Sequence, residues 1–302
     1  GWQASHAAAA SSLMRGMPPV AVDRIWQPLC VSALNVRLHN ASAAVFLAVL
    51  RDSLGAARAD SDLLLPRTDL SGLLPDAARR ALQEAAVDLR LRETIEAVEP
   101  QSGGWRIRAR DAAFDADAVV LALPPWRAAP LCAATGLAPL VACAAALERI
   151  APAPITTVYL RYAADLRLPQ PALALVEDPA ARAYGQWVFD RGALDARCAG
   201  VLSVVVSAAG PHGALDHAAL GRAVADQLGA ALRLPPPLAL RVIEEKRATI
   251  VPAPGLQRPP VALPAAGLYL ASDAADSPYP STIEGSVRSG LAAARTLLAA
   301  RA

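Results

Sequence analysis

The residues best suited to chemistry lie near the end of the chain, between residues 267 and 290. Asp273 follows a short apolar run, and Glu284 lies three residues after Ser281, which is the spacing of a helix capping box. A helix that begins here presents unpaired amide donors and about half a positive charge at its N-terminus. Small residues such as Gly285 keep its first turns slim. The pattern is compatible with a site for a flat ligand that carries negative charge at one edge, but spacing alone favours a capped helix that only packs.

These residues are positioned by a predicted strand over 267–271, a polar loop, and a helix over 282–300. The uncharged stretch 128–147 is interpreted as a buried loop plus helix, because two prolines and a glycine interrupt it. Continuous apolar character over 118–123 predicts a strand covered on both faces. Further strands are predicted over 87–91, 94–98, 105–110, 117–123, 154–162, 184–190, 200–207 and 239–250, and helices over 42–54, 69–86 and 215–232. These elements predict an α/β (α+β mixture) fold.

Composition excludes several classes of protein. With 302 residues, 54% hydrophobic and 19% charged, the chain can bury a large core and is not disordered. The net charge is +2, and the basic residues are scattered among acidic ones instead of forming one positive surface. We therefore expect no nucleic-acid partner. No metal site is expected: the cysteines lack metal-ligand spacing, and the closest histidines, His212 and His217, are interpreted as a surface pair. The four cysteines support neither a disulfide framework nor a zinc site; they are Cys30, Cys132, Cys143 and Cys198.

Residues 267–290 resemble the C-terminal flavin motif of the amine oxidase/phytoene desaturase superfamily. Five other stretches narrow this resemblance to the squalene-associated FAD-dependent desaturases, a family that includes hydroxysqualene dehydroxylases of bacterial hopanoid synthesis. The likeness keeps the same order along essentially the whole chain. The five stretches are 26–30, 51–55, 154–162, 185–192 and 245–249.

The resemblance implies an FAD-binding, amine-oxidase-like two-domain fold, with an incomplete Rossmann-type flavin domain interleaved with a mixed sheet-plus-helix substrate domain. Residues 1–58 would form the helical part of the substrate domain and 59–135 part of the flavin domain. Residues 136–261 would supply the sheet and helices of the substrate domain, and 262–302 the last strand and helix of the flavin domain. The residues implied to bind FAD are Asp273, Ser272, Thr282, Ile283 and Ile95.

The sequence departs from the family pattern in two ways. It contains no Gly-x-Gly-x-x-Gly unit, and it begins with Gly-Trp-Gln rather than methionine. We therefore expect that an N-terminal dinucleotide-binding segment is missing and that FAD binding is weakened, since phosphate contacts anchor such cofactors. Ser272 also stands where the family usually has glycine, and there it could crowd the cofactor.

The implied activity is FAD-dependent hydride transfer to a C30 isoprenoid, with NADPH or a similar external electron donor. An apolar pocket should hold the substrate, and no catalytic residue is assigned. Asp190, Arg191, Lys246 and Arg247 are candidate acids near the substrate, but each is equally interpretable as a solvated or ion-paired surface residue. The pocket candidates are Trp187, Phe189, Thr157, Tyr159 and Arg247.

Three alternatives stay open. Amine oxidases usually carry a lysine on the strand that here spans 155–162, and Thr157 occupies about that place, which weighs against amine oxidation. A carotenoid or phytoene desaturase fits the same apolar pocket. A truncated, cofactor-free lipid-binding or interaction module is the third alternative.

We expect a cytoplasmic protein. A water-insoluble substrate suggests peripheral contact at the inner membrane, and we leave the oligomeric state open.

Overall fold

A computed structural model describes residues 2–55 and 57–301 of the chain. The helical elements are numbered in chain order: α1 (Pro19–Ala21), α2 (Gln27–Leu34), α3 (Ala43–Leu54), α4 (Leu70–Leu73), α5 (Pro75–Glu84), α6 (Pro125–Ala134), α7 (Ala138–Glu148), α8 (Arg191–Leu194), α9 (His217–Leu232) and α10 (Ile283–Ala299). The strands are β1 (Ile95–Gln101), β2 (Gly104–Ala109), β3 (Ala113–Ala116), β4 (Val119–Leu121), β5 (Pro152–Arg161), β6 (Ala172–Ala174), β7 (Trp187–Asp190), β8 (Val201–Ser207), β9 (Ala239–Ile250) and β10 (Leu268–Leu270).

The largest sheet has five strands in the order β6-β7-β8-β5-β9, all paired antiparallel. Apolar side chains alternate along its strands, so that one face is apolar throughout. That face packs against the amphipathic helix α9, whose Leu220, Val224 and Leu228 are buried in the same core as Val158 and Leu160. The opposite face, called the open face below, is not covered by α9.

Two smaller sheets form the other half of the molecule. Strands β1, β2 and β3 make an antiparallel meander, in which Trp105 and Ala109 are buried while Arg106 and Arg108 point to solvent. Strands β4 and β10 form a parallel pair. Since β10 leads directly to α10, this pair positions the residues that the sequence singled out.

Three separate hydrophobic cores hold these elements together. One core surrounds β4 and β10 and includes residues from α6 and α7, among them Leu140 and Leu147. A second joins the five-stranded sheet to α9. The third contains Phe46 and Cys30 and closes the N-terminal helices. The domain boundaries given above stay predictions.

Several predicted elements differ in the structure. No strand forms over 87–91, and the helix predicted over 69–86 is divided into α4 and α5 because Pro75 interrupts the hydrogen-bonding pattern and starts the second helix. Val120 is 40% exposed, so β4 is not covered on both faces. Residues 128–147 form two helices rather than a loop and a helix. The short strands β3 and β6 were not predicted.

Within the described ranges, no helix combines the length and the apolar character that a bilayer span requires. In the same part of the chain, no three or more histidine, cysteine, aspartate or glutamate side chains come together as a metal site. The absence of a bound metal stays a prediction.

Candidate functional site

The segment between β10 and α10, residues 271–282, is called the Asp273 loop. Both carboxylate oxygens of Asp273 accept hydrogen bonds from serine hydroxyls. Ser272 Oγ donates to Oδ1 over 3.0 Å, and Ser281 Oγ donates to Oδ2. Ser272 Oγ also accepts from the Ala274 amide over 3.1 Å, so this serine stiffens the turn. Asp273 remains half-buried, and each carboxylate oxygen can accept a further hydrogen bond from a ligand hydroxyl.

The start of α10 differs from the predicted capping box. Thr282, not Ser281, is the N-cap, and its hydroxyl accepts a hydrogen bond from the Gly285 amide over 3.1 Å. Glu284 pairs instead with Arg288, one turn further along the helix. The capping-box prediction was wrong by one residue, because Ser281 is engaged by Asp273 and leaves the cap to Thr282.

The first turn of α10 can serve as a donor site. Among the described residues, the backbone amides of Ile283 and Glu284 have no hydrogen-bond acceptor, as is usual for the first amides of a helix. The Ile283 side chain is 53% exposed, so this end of the helix is accessible. A Cβ on Gly285 would lie 2.9 Å from the Pro280 carbonyl oxygen, which explains a glycine at that position. The donor set fits the anionic edge of a flat ring system.

The other predicted cofactor contact, Ile95, lies in a different sheet. It starts β1, pairs with Ala109, and is 38% exposed. Ser272 and Asp273 follow β10, whereas Thr282 and Ile283 begin α10, so the structure brings these four together at one loop and leaves Ile95 in the meander. The assignment of all five residues to a cofactor stays a prediction.

Of the five predicted pocket residues, Arg247 lies outside the regular pairing of β9. The other four, Trp187, Phe189, Thr157 and Tyr159, share the open face of the five-stranded sheet. Strand register aligns them in two rows that each cross four strands. The first row is Trp187, Val205, Thr157 and Ile243, and the second is Phe189, Ser203, Tyr159 and Arg241. The first row is entirely uncharged, and Ile243 is 47% exposed there. The open face therefore offers an apolar strip with a hydroxyl at its centre.

The aromatic pair at one end of this face is held in place. The rings of Trp187 and Phe189 are stacked, with centroids 6.3 Å apart and planes inclined by 23°. The Trp187 indole N–H donates to Ser32 Oγ of α2 over 2.8 Å. Helix α2 thus borders the open face next to the aromatic pair.

Lys246 and Arg247 lie where β9 departs from regular pairing with β5. Ala153 pairs with Thr249 and Ile155 with Glu245, so β9 has two more residues than β5 in this interval. The bulge directs Arg247 over the ring of Trp126, with 5.3 Å between the guanidinium carbon and the ring centroid. Bulges of this kind redirect side chains at the rims of sites.

Asp190, a candidate acid or surface residue, is neither free nor exposed. Its side chain is fully buried, and it accepts hydrogen bonds from the backbone amides of Leu168 and Ala193, both over 3.0 Å. It caps α8, and its hydrogen bond with the Leu168 amide connects the loop before β6 to the end of β7. The proposed surface pair of histidines is also wrong in part: His217 is exposed, but His212 is only 8% exposed, and burial lowers its pKa.

Two contacts at the Asp273 loop were missed from sequence. The side chain of Arg258 donates to three carbonyl groups of the loop. Tyr279 donates from its hydroxyl to Asp52 of α3 over 2.6 Å. Neither residue belongs to a periodic pattern, and the partners of Tyr279 lie 227 positions away, so only the folded chain reveals them.

Comparison with known proteins shows the family of the chain. Residues 57–298 match the model of a family described as flavin containing amine oxidoreductase. The chain belongs to this family. Flavin is accordingly the class of cofactor that family membership implies, and the donor set at α10 fits it. The resemblance to the amine oxidase/phytoene desaturase superfamily is confirmed.

The chain is also similar to individual proteins of this flavin oxidoreductase group. It is 31% identical over 290 residues to hydroxysqualene dehydroxylase of Rhodopseudomonas palustris, covering 92% of this chain and 63% of that protein. An oxidoreductase from Methanosarcina mazei superposes with a TM-score of 0.70 at 15% identity, over 95% of this chain and 68% of the other. Cyclohexylamine oxidase from Brevibacterium oxydans superposes with a TM-score of 0.63 at 17% identity, over 97% of this chain and 67% of the other.

These structural likenesses confirm the predicted fold class, a mixed helix-and-sheet fold of the flavin-dependent amine oxidase type. The chain spans less than two thirds of the length of the hydroxysqualene dehydroxylase that it matches. Activity, substrate and partners of the whole protein are treated below as proposals.

Proposed function

We propose that the chain belongs to an FAD-dependent oxidoreductase that acts on a C30 isoprenoid, as a hydroxysqualene dehydroxylase giving squalene. The observation that carries the substrate class is the uncharged first row of the open face, from Trp187 through Thr157 to Ile243. An apolar strip across four strands suits a long hydrocarbon chain, which gains affinity from buried area rather than from charge. The likeness to the dehydroxylase of R. palustris narrows that class to hydroxysqualene.

The cofactor side of the proposal rests on the Asp273 loop. Asp273 would accept a hydrogen bond from a ribityl or ribose hydroxyl of FAD, and the Ile283 amide would donate to the pyrimidine edge of the isoalloxazine. The positive end of the α10 dipole favours negative charge at that edge. When bound, FAD supplies hydride chemistry that no amino-acid side chain can provide.

The overall reaction replaces a carbon–oxygen bond of the substrate by a carbon–hydrogen bond. One hydride and one proton are consumed, the hydroxyl group leaves as water, and NADPH is the proposed source of the two electrons. Asp190 does not serve as the acid, because both of its oxygens are occupied by backbone amides in a buried site. A cytoplasmic location with peripheral contact at the inner membrane is part of the same proposal, because the substrate is insoluble in water.

The first experiment tests cofactor binding at a single backbone atom. Proline at the first position of a helix is tolerated and removes the amide hydrogen together with the isoleucine side chain. Thr282 already has the extended backbone that a following proline requires. We expect Ile283→Pro to weaken FAD binding by about tenfold to a hundredfold, the loss of one hydrogen bond to a charged group. Absorbance and fluorescence titration with FAD measures this.

Ile283→Ala is the matched control, since it removes the same side chain but keeps the amide. Equal FAD affinity in the proline and alanine variants would contradict the assigned role of the amide. Conversion of hydroxysqualene to squalene by the FAD-loaded chain and NADPH tests the reaction itself. Oxygen consumption with primary amines, in place of this conversion, would establish the amine oxidase alternative, for which Thr157 stands where a lysine is usual.

A further inference from the structure

The Asp273 loop has no helix or strand of its own, yet its interior is tightly packed. Ala274 and Ala275 are fully buried in the core around β4 and β10. A buried irregular segment must find partners for its carbonyl groups outside regular structure. The carbonyl oxygens of Asp273, Ser277 and Tyr279 all accept hydrogen bonds from the same side chain.

That partner is the guanidinium group of Arg258. Its Nη1 donates to the carbonyl oxygens of Asp273 over 3.1 Å and Tyr279 over 3.0 Å, and its Nη2 donates to the carbonyl of Ser277. The next residue, Pro259, accepts the backbone amide of Asp276 over 2.8 Å. One short segment thus fastens the loop at four points along its length.

The charge of Arg258 is not used in an ion pair. Within the described residues it makes no salt bridge, although burial lowers its pKa and the charges of Asp276 and Asp273 act in the opposite direction. Arg258 is half-buried, and holding a guanidinium partly away from water without a bound carboxylate is costly, so its three carbonyl contacts have to be well formed. The planar fork of arginine suits this geometry, whereas lysine provides only a point charge.

We propose that Arg258 is the positioning residue of the proposed cofactor site, and that it acts by fixing the Asp273 loop. The connection runs through the loop itself. Arg258 fixes the backbone of Asp273, the carboxylate of Asp273 holds Ser281, and the next residue, Thr282, caps α10. Loss of the guanidinium therefore displaces both the Asp273 carboxylate and the Ile283 amide. This inference rests on the proposed function for the identity of the ligand, but not for the ordering of the loop.

The test compares Arg258→Ala and Arg258→Lys with Arg295→Met, which alters an exposed arginine of the neighbouring helix. Hydrogen exchange of the unliganded chain is measured over residues 271–286 and over β8. We expect amides of the Asp273 loop to exchange at least about tenfold faster in both Arg258 variants, while β8 stays unchanged. Loop exchange equal to that of Arg295→Met would overturn the proposal, and faster exchange in β8 as well would show general unfolding rather than positioning.

FAD titration supplies a second readout, with chemical rescue as the specific signature. A cavity of about 310 Å³ lies beside Arg258, lined also by Ser42 and Asp276, so a small cation can reach the vacated position. We expect FAD affinity to fall about tenfold or more in Arg258→Ala and to be restored by millimolar guanidinium but not by equal ammonium. Rescue by ammonium as well would refute the requirement for the fork. A wild-type chain that ignores FAD refutes the proposed function, and hydrogen exchange then still decides whether Arg258 orders the loop.

Discussion

Helices α9 and α10 are of nearly equal length, but they are held in opposite ways. Helix α9 buries large side chains, among them Leu220, Val224 and Leu228, against the five-stranded sheet. Helix α10 buries only Gly285, Ser289 and Ala293. Four of its five large apolar residues are exposed instead: Ile283 by 53%, Val287 by 49%, Leu291 by 50% and Leu298 by 66%, whereas Leu297 is half-buried.

The contrast shows which forces position each region. Helix α9 is fixed by burial of apolar area, which is strong but tolerant of small displacements. The start of α10 is fixed by hydrogen bonds: the Thr282 cap, the Asp273–Ser281 contact and the Arg258 fork. Hydrogen bonds are directional, so they suit a site that must present an amide and a carboxylate at defined positions. The five-stranded sheet with α9, called the sheet region, therefore contributes most to stability. The start of α10 with the Asp273 loop, called the α10 region, holds the amide and the carboxylate at defined positions.

The largest expected difference between the two regions is in the unfolding free energy that is lost when a leucine is shortened to alanine. Leu228 is fully buried, and Leu228→Ala should lower the free energy of unfolding by about 3 kcal/mol, from lost transfer energy and the cavity left behind. The matched change on the other helix, Leu291→Ala, should cost less than about 0.5 kcal/mol because the side chain is half exposed. Urea denaturation measures both. Equal losses would mean that α10 is covered in solution by something that packs on Leu291.

A second prediction compares two capping side chains. Asp190→Ala removes the acceptor of two amides at a fully buried site and should cost about 2–3 kcal/mol. Thr282→Ala removes one capping contact at the start of α10 and should cost about 1 kcal/mol. Denaturation midpoints give the stability of each variant. A larger loss for Thr282→Ala than for Asp190→Ala would reverse the assignment of stability to the sheet region.

Periodic elements of both regions could be predicted from sequence, because alternation and helical spacing are local signals. Strands β5, β8 and β9 and helix α9 appeared within a few residues of their predicted bounds, and so did α10. The strand predicted over 87–91 failed because its apolar residues had nothing to pair with: Leu89 is 39% exposed and Leu91 70%. Local pattern does not reveal whether a partner strand exists.

At the candidate site, the sequence predicted which residues lie near one loop but not the contacts among them. The sequence placed Asp273 and Ile283 together, since both flank one loop. It misassigned the cap, because Ser281 and Thr282 are chemically equivalent and only the contact with Asp273 separates them. It missed Arg258, which is followed by two prolines and whose partners are backbone carbonyls that carry no sequence signature. It also left Asp190 open as a candidate acid or a surface residue, because burial of a lone carboxylate cannot be seen without its amide partners.

The smallest expected effect concerns the contact that joins the Asp273 loop to α3. Arg51, and after it Tyr279, hold the pKa of Asp52 below its ordinary value, and Asp52 raises the pKa of the Tyr279 hydroxyl. The stability from Asp52 is present above its ordinary pKa and is lost as pH falls through the lowered value. The stability from Tyr279 is present below its ordinary pKa and is lost as pH rises through the raised value. The contact therefore contributes between about pH 4 and pH 10.

Tyr279→Phe removes this contact and should cost only a few tenths of a kcal/mol near neutral pH, since both side chains are partly exposed to solvent. The difference from wild type should shrink at both ends of the pH window, which stability curves at several pH values can measure. Tyr159→Phe, on the open face, is the control and should show no such window. A loss for Tyr279→Phe that stays constant from acid to alkaline pH would mean that the ring packs rather than donates, and the Asp273 loop would then be held to α3 by apolar contact, like the sheet region.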